Sequence, residues 1–421
     1  MRTTTIAALS VLALAPVSLT VLTTTTAAAA APTCYGQPAT IVGTDGPDRL
    51  VGTPRADVIV GLAGNDRIEG MDGNDRLCGN DGGDVVYGGA GDDRMGGGRA
   101  AMSSNDPPQV MTPNRLRGGP GDDIMDPGLD VRANEESGGH ETVAIVDYSS
   151  SSHAVKVDLA TGVVDNGDRI VARPYLRLLG TDSDDTLLGS SHPEGLEGGR
   201  GNDLLAGRAG NDDLQAEESQ QTATDNDRLY GGGGNDLLVS QRPKDVVVGG
   251  DGDDTLGTSA PGRVDGGPGG DVMSMELPNS AAVGDVLCGA GGDDIELFAF
   301  APDVSPRWLL GVDAPAERLT YGPRVSGRIS DCEHYSLVGV DARYRFEGTG
   351  VAETIYANDR YEGWPGGPLV ASLRGGDDVV FGSRAGNDRI DLGAGNDRVN
   401  SRRSSVCFNW ERGYCGGESR P

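Results

Sequence analysis

Six aspartates, Asp48, Asp57, Asp66, Asp75, Asp84 and Asp93, recur at an unbroken nine-residue interval. A glycine stands five residues before each, at 43, 52, 61, 70, 79 and 88. Two residues after each comes an apolar side chain: Leu50, Ile59, Ile68, Leu77, Val86 and Met95. Each unit approximates Gly-x-x-Gly-x-Asp-x-apolar-x, as in GLAGNDRIE from Gly61 to Glu69. The chemistry these residue types offer is coordination of a hard cation by oxygen. Aspartate brings an anionic oxygen, and glycines permit the positive φ values of a tight loop and let carbonyls crowd toward one point. Calcium takes about six to eight such oxygens and needs no other special side chain.

Such loops must be held by something regular. The last three residues of each unit read as a short strand whose middle side chain points inward, so two nonapeptides complete one coil. Coils then stack at roughly 4.8 Å, the spacing of paired strands, and loops two repeats apart face each other. Carboxylates about 5 Å apart in adjacent coils repel by roughly 1–3 kcal/mol per pair. Bound cations are the direct way to neutralise that repulsion. A solenoid held only by stacked apolar side chains and ladder hydrogen bonds is the metal-free alternative.

The pattern returns along the chain. Asp185, Glu194, Asp203 and Asp212 follow glycines at 180, 189, 198 and 207, with Glu194 departing from the motif. A third run carries Asp227, Asp236, Asp245 and Asp254, and its unit at Ser240–Val248 keeps the aspartate without the glycines. Single units hold Asp123, Asp271 and Asp294, while Asp378, Asp388 and Asp397 recur at spacings of ten and nine.

These units resemble the hemolysin-type calcium-binding repeats called RTX, a family of glycine- and aspartate-rich nonapeptides. The resemblance implies a right-handed parallel β-roll, an all-β solenoid, with multiple calcium ions between loops i and i+2. Carried onto this chain, it pairs Asp48 with Asp66, Asp57 with Asp75, Asp66 with Asp84, Asp75 with Asp93, and Asp185 with Asp203.

Composition agrees with a thin interior. Glycine is 68 of 421 residues and aromatics are 5%, too little bulk for a large conventional core. Asp and Glu outnumber Lys and Arg by 64 to 35, a formal charge of −29, which argues against nucleic acid as a partner. Residues 1–31 open Met1-Arg2, run apolar from Ile6 to Leu22 and end in small residues at Ala31. They read as a signal peptide, with no membrane span expected after cleavage and a secreted, extracellular location. Six cysteines in an exported chain suggest disulfides. Cys34 and Cys78 are 44 apart, as are Cys288 and Cys332, and Cys407 with Cys415 encloses a short loop. That is the pairing the spacing favours, and no CxxC supports thiol-bound metal.

The sequence divides into the signal segment 1–31, a first roll block 43–97, a linker and strand adaptor 98–179, a second repeat block 180–215 and a third 222–297. An aromatic-rich strand region 298–372, C-terminal repeats 373–400 and a disulfide-bearing tail 401–421 follow. All three Trp, all five Phe and six of eleven Tyr lie between Phe298 and Tyr414. The longest stretch without convincing repeats, Phe298 to Glu347, is short for an independent catalytic domain. No HExxH or Gly-x-Ser-x-Gly motif occurs, and His140, His153, His192 and His334 are scattered. The expectation is a non-catalytic calcium-binding structural or binding module, with an extracellular polysaccharide or cell-surface partner open. The alternative is a calcium-dependent polysaccharide lyase or other hydrolase built on the solenoid face.

Overall fold

A computed structural model describes residues 31–99, 112–128, 144–216, 225–242, 244–259, 262–277, 284–291, 294–299, 309–321, 325–339, 343–357, 367–383, 385–402, 405–410, 412–415 and 418–420. The N-terminal segment up to residue 30, most of the Pro-rich stretch after residue 98, His140 and the side chain of Asp294 lie outside the described residues.

The repeat dictates its own geometry. In Arg67–Asp72 the alternation sets Ile68 inward and the arginine and glutamate outward, and the following glycines turn the chain before a second strand can lengthen. Arg67–Asp72 pairs parallel with Val85–Ala90 in the register Arg67↔Val85, 18 residues on. Val58–Ala63 pairs with Arg76–Asp81 at the same offset on the opposite face. Two nonapeptides therefore make one coil, and odd and even repeats build two parallel ladders.

Both ladders run through the intervals between repeat blocks. Asn114–Arg117 pairs with Val85–Ala90 and with Ala144–Asp147, which passes the ladder to Leu176–Leu179. Leu204–Ala209 pairs with Arg228–Gly233 across an offset of 24 residues. The second ladder alone takes up two antiparallel insertions. One is Lys156–Asp158, Val163–Val164 and Arg169–Ile170; the other is Leu309–Asp313, Arg318–Tyr321 and Val325–Ser330. Residues 144–170 thus contribute four short strands, Ala144–Asp147 to one ladder and the other three to the second.

Between the ladders lies a row of single side chains. Ile59, Ile68, Leu77, Val86, Met95, Leu116, Leu187, Leu205, Leu229 and Leu256 are all fully buried. Each such side chain contributes about 1.5–3 kcal/mol, and the row continues into bulkier packing in the last third, where Tyr335 meets Phe346 edge-on at 4.7 Å. The three disulfides are Cys34–Cys78, Cys288–Cys332 and Cys407–Cys415, with Cα separations of 5.8, 5.0 and 6.2 Å, the pairs that the spacing favoured. Among the described residues the one helical element is a single 3-10 turn, Ala314–Ala316, and no helix is long and apolar enough to cross a membrane. The fold is an all-β parallel solenoid.

Candidate metal centres along the carboxylate ladder

Stacking the coils lines up the aspartates, and one oxygen of each is consumed by the stacking itself. The Asp48 amide donates to Asp66 Oδ1 at 2.9 Å, Asp57 to Asp75 at 2.8 Å, Asp66 to Asp84 at 2.9 Å and Asp75 to Asp93 at 2.8 Å. The same bond links Asp93 to Asp123, Asp185 to Asp203, Glu194 to Asp212, Asp203 to Asp227, Asp212 to Asp236, Asp227 to Asp245, Asp236 to Asp254 and Asp378 to Asp397. The sixth-position residue is therefore also a backbone staple between repeats i and i+2, which lie in adjacent coils.

The other oxygen has a different fate. Oδ2 of Asp66, Asp75, Asp84, Asp93, Asp123, Asp203, Asp212, Asp254 and Asp378 is buried with no hydrogen-bond partner, and each of these residues is at most 2% exposed. A buried acceptor left this way costs about 1–3 kcal/mol, and more if charged. Except at Asp378, whose repeat has Leu373 in that place, each orphan points over the first glycine of its own repeat. A methyl group on Gly61 would meet Asp66 Oδ2 and lie 2.7 Å from the Gly79 carbonyl oxygen, and one on Gly207 would meet Asp212 Oδ2 and lie 2.7 Å from Gly231 O. Side-chain and backbone oxygens thus converge on cradles kept clear by the absence of Cβ. The donor set is all oxygen, which suits calcium. Among the described residues no three His, Cys, Asp or Glu side chains come together, so an ion here would draw mostly on backbone carbonyls.

Burial without a counter-charge raises the carboxyl pKa. Desolvation pushes Asp75 up to about 6, Asp84, Asp93, Asp254 and Asp378 to about 7, and Asp123, Asp203 and Asp212 to about 8. Neighbouring ladder carboxylates add to the rise, and the staple amides oppose it. A site that holds buried carboxylates this reluctantly is one that a divalent cation would favour.

Not every expected residue lies in such a cradle. Oδ2 of Asp48 accepts from the Thr44 amide and hydroxyl at 2.6 and 2.9 Å, and Oδ2 of Asp57 from Thr53 at 2.7 and 2.8 Å. Asp185 takes Thr181, Asp245 takes the Ser240 hydroxyl, and Asp388 is ringed by Ser383, Ser401 and Ser405. Three ladder positions escape the motif search or stand apart from its runs. Asn114 accepts from the Asp84 amide at 2.8 Å, Asp168 from Asp123 at 2.9 Å, and Asp271 from Asp254 at 2.9 Å. For Asn114 and Asp168 the usable signal was the offset to a buried apolar residue two positions on, Leu116 and Ile170, without the preceding glycines.

If the cradles hold cations, Gly79→Ala should lower the number of calcium ions bound, because its methyl would fall on Asp84 Oδ2. Gly46→Ala is the control, since its methyl would meet nothing nearer than 3.9 Å. Calorimetric stoichiometry reads the difference, and equal counts would mean that the cradles are not where the ions sit.

A parallel β-solenoid with carboxylates and loop carbonyls gathered inside its turns is the architecture of a cation-loaded repeat protein. The RTX calcium-binding nonapeptide repeat family matches residues 42–77, 70–100, 113–130, 196–218, 221–242 and 374–403. Those segments carry that family's repeats, and the chain is a calcium-binding repeat protein. No curated protein matches the chain.

Proposed function

We propose that this protein is a secreted, non-catalytic calcium-loaded module whose solenoid forms fully only outside the cell, and which serves as an extracellular or cell-surface structural or binding element. The observation that carries the reading is the run of buried, unpartnered Oδ2 atoms facing glycine cradles, because a cation supplies what each of them lacks. Multiple calcium ions, held by the sixth-position aspartates and loop carbonyls, follow from the repetition. Export fits the apolar segment from Ile6 to Leu22 and the disulfides. Extracellular calcium is high enough to fill sites of about 10⁻⁴–10⁻³ M affinity, the range of extracellular modules. A partner such as an extracellular polysaccharide would lie against the outward-facing strand residues.

The test is a calcium titration of the exported protein by calorimetry, together with fractionation of the culture. Several ions per chain on protein recovered from the medium is the expected result. A chain that binds one ion or none, or that stays in the cytosol, would overturn the proposal.

A further inference from the structure

Most ladder carboxylates fall into two states, and the residue after the first glycine of the repeat separates them. Glu353, whose Oε1 takes Thr349 while its Oε2 stays without a partner, lies between the two, and Asp245 and Asp378, whose repeats lack that glycine, stand outside the rule. Where that residue is Thr or Ser, as in Thr44, Thr53, Thr181, Ser190 and Ser383, its side chain and amide reach the carboxylate of the same loop. In Asp57 both donors converge on the oxygen that is orphaned elsewhere. Where it is Leu62, Met71, Asn80, Gly89, Gly119, Gly199, Arg208 or Gly250, that residue has φ between 76° and 119° or, for Gly250, 122°. The aspartate of each of those loops, from Asp66 to Asp254, keeps a buried Oδ2 without a partner. The residue type chooses the backbone: a β-branched side chain strongly resists positive φ, so threonine holds its amide where it can bond the carboxylate.

We propose that these hydroxyl caps mark coils that take no calcium, so that ions load only the open runs. In Asp48 and Asp57 two donors already occupy the oxygen a cation would need, and in Asp185 and Glu194 the loop amide takes one carboxylate oxygen and the hydroxyl the other. Most caps lie where a run starts or breaks, the Ser240 cap on Asp245 inside the third block being the exception. Asp48 and Asp57 open the first repeat block, and Asp185 and Glu194 follow the inserted strands Lys156–Asp158 to Arg169–Ile170. At the same insertion Asp168 is capped by the Tyr148 hydroxyl and Asn166, both at 2.9 Å. Coils at a start or a break lack a regular neighbour on one side, and a cap lets them form without metal and template the open run beyond. Asn114 shows that a ladder position tolerates an amide: its Oδ1 keeps the staple from Asp84 while its Nδ2 donates to Pro127 O at 3.3 Å.

The inference rests on calcium binding by the ladder and is tested so that the two can fail separately. Calcium ions bound to the full chain are counted by native mass spectrometry for Asp57→Asn and Asp185→Asn, in capped coils, and for Asp75→Asn and Asp203→Asn, in open ones. The capped variants should keep the wild-type count, and the open variants should each lose at least one ion. In calcium-free buffer, hydrogen exchange should be slowest in the capped coils. Equal losses in all four variants would overturn the capping proposal and leave the calcium ladder standing. No loss in any of them would remove the ladder reading and the proposal together. Met71→Thr keeps Asp75 and adds a cap, so it decides the matter if an Asn variant does not fold in calcium. It should lose an ion, and an unchanged count would count against the proposal.

Discussion

Stripped of calcium at neutral pH, the chain should lose most of its far-UV β signal, and millimolar calcium should restore it. The physical argument is one of imbalance. The open coils bury carboxylates whose second oxygen has no partner, and in the metal-free chain those charges face one another at coil spacing. The core opposing this is a single row of side chains such as Leu187, Leu205 and Leu229, with little apolar bulk behind it. Mass action gives roughly 0.4–1.4 kcal/mol per site when free calcium stands at one to ten times the dissociation constant. Summed over several sites, that approaches the ~5–15 kcal/mol by which whole domains are stable. Folding and loading should then be one cooperative event. Circular dichroism with excess chelator and with calcium is the measurement, and superimposable spectra would sink the idea.

Acid should replace calcium in part. In the metal-free folded chain, burial raises Asp84, Asp93, Asp254 and Asp378 to about 7 and Asp123, Asp203 and Asp212 to about 8, whereas in the unfolded chain they return to the ordinary aspartate value near 3.9. The folded state therefore binds more protons between those limits, and stability must rise as pH falls. This contribution is fully present below about pH 4 and is lost as pH climbs through 7 and 8. Calcium-stripped protein should accordingly melt at a higher temperature at pH 5 than at pH 8, and calcium binding near neutrality should release protons. Relief of the overall −29 charge acts in the same direction, but surface repulsion is screened by salt whereas buried sites are screened far less. The pH effect should therefore survive at high ionic strength. A melting temperature that is flat or lower at pH 5 would contradict the burial argument.

Much of this was legible in the residues. The nine-residue phase of glycine, aspartate and apolar side chain specified the coil, the inward row from Ile59 to Met95 and the facing of loops 18 residues apart, because each feature follows from local turn and strand geometry. Less legible was continuity. The interval after Gly98 hides Asn114, and Asp168 follows Asn166-Gly167 in place of the usual glycine pattern, yet both enter the ladder. Pairing in a parallel sheet is satisfied by any strand of suitable length delivered to the edge, whatever connects it, so offsets of 24 and 30 residues serve as well as 18.

The sequence by itself determined the repeating unit, the oxygen chemistry and the acidic interior, since these depend on residue type and period, and its cysteine spacing favoured the disulfide pairs that the structure forms. Only the tertiary structure decided which carboxylates keep an oxygen free. Asp57 and Asp75 occupy the same motif position two repeats apart, but Thr53 closes one loop with a hydroxyl and an amide, while Met71, at φ 84°, leaves the other open. That difference lies in where a backbone amide points after three-dimensional turns are set, and motif matching reads both positions as the same aspartate.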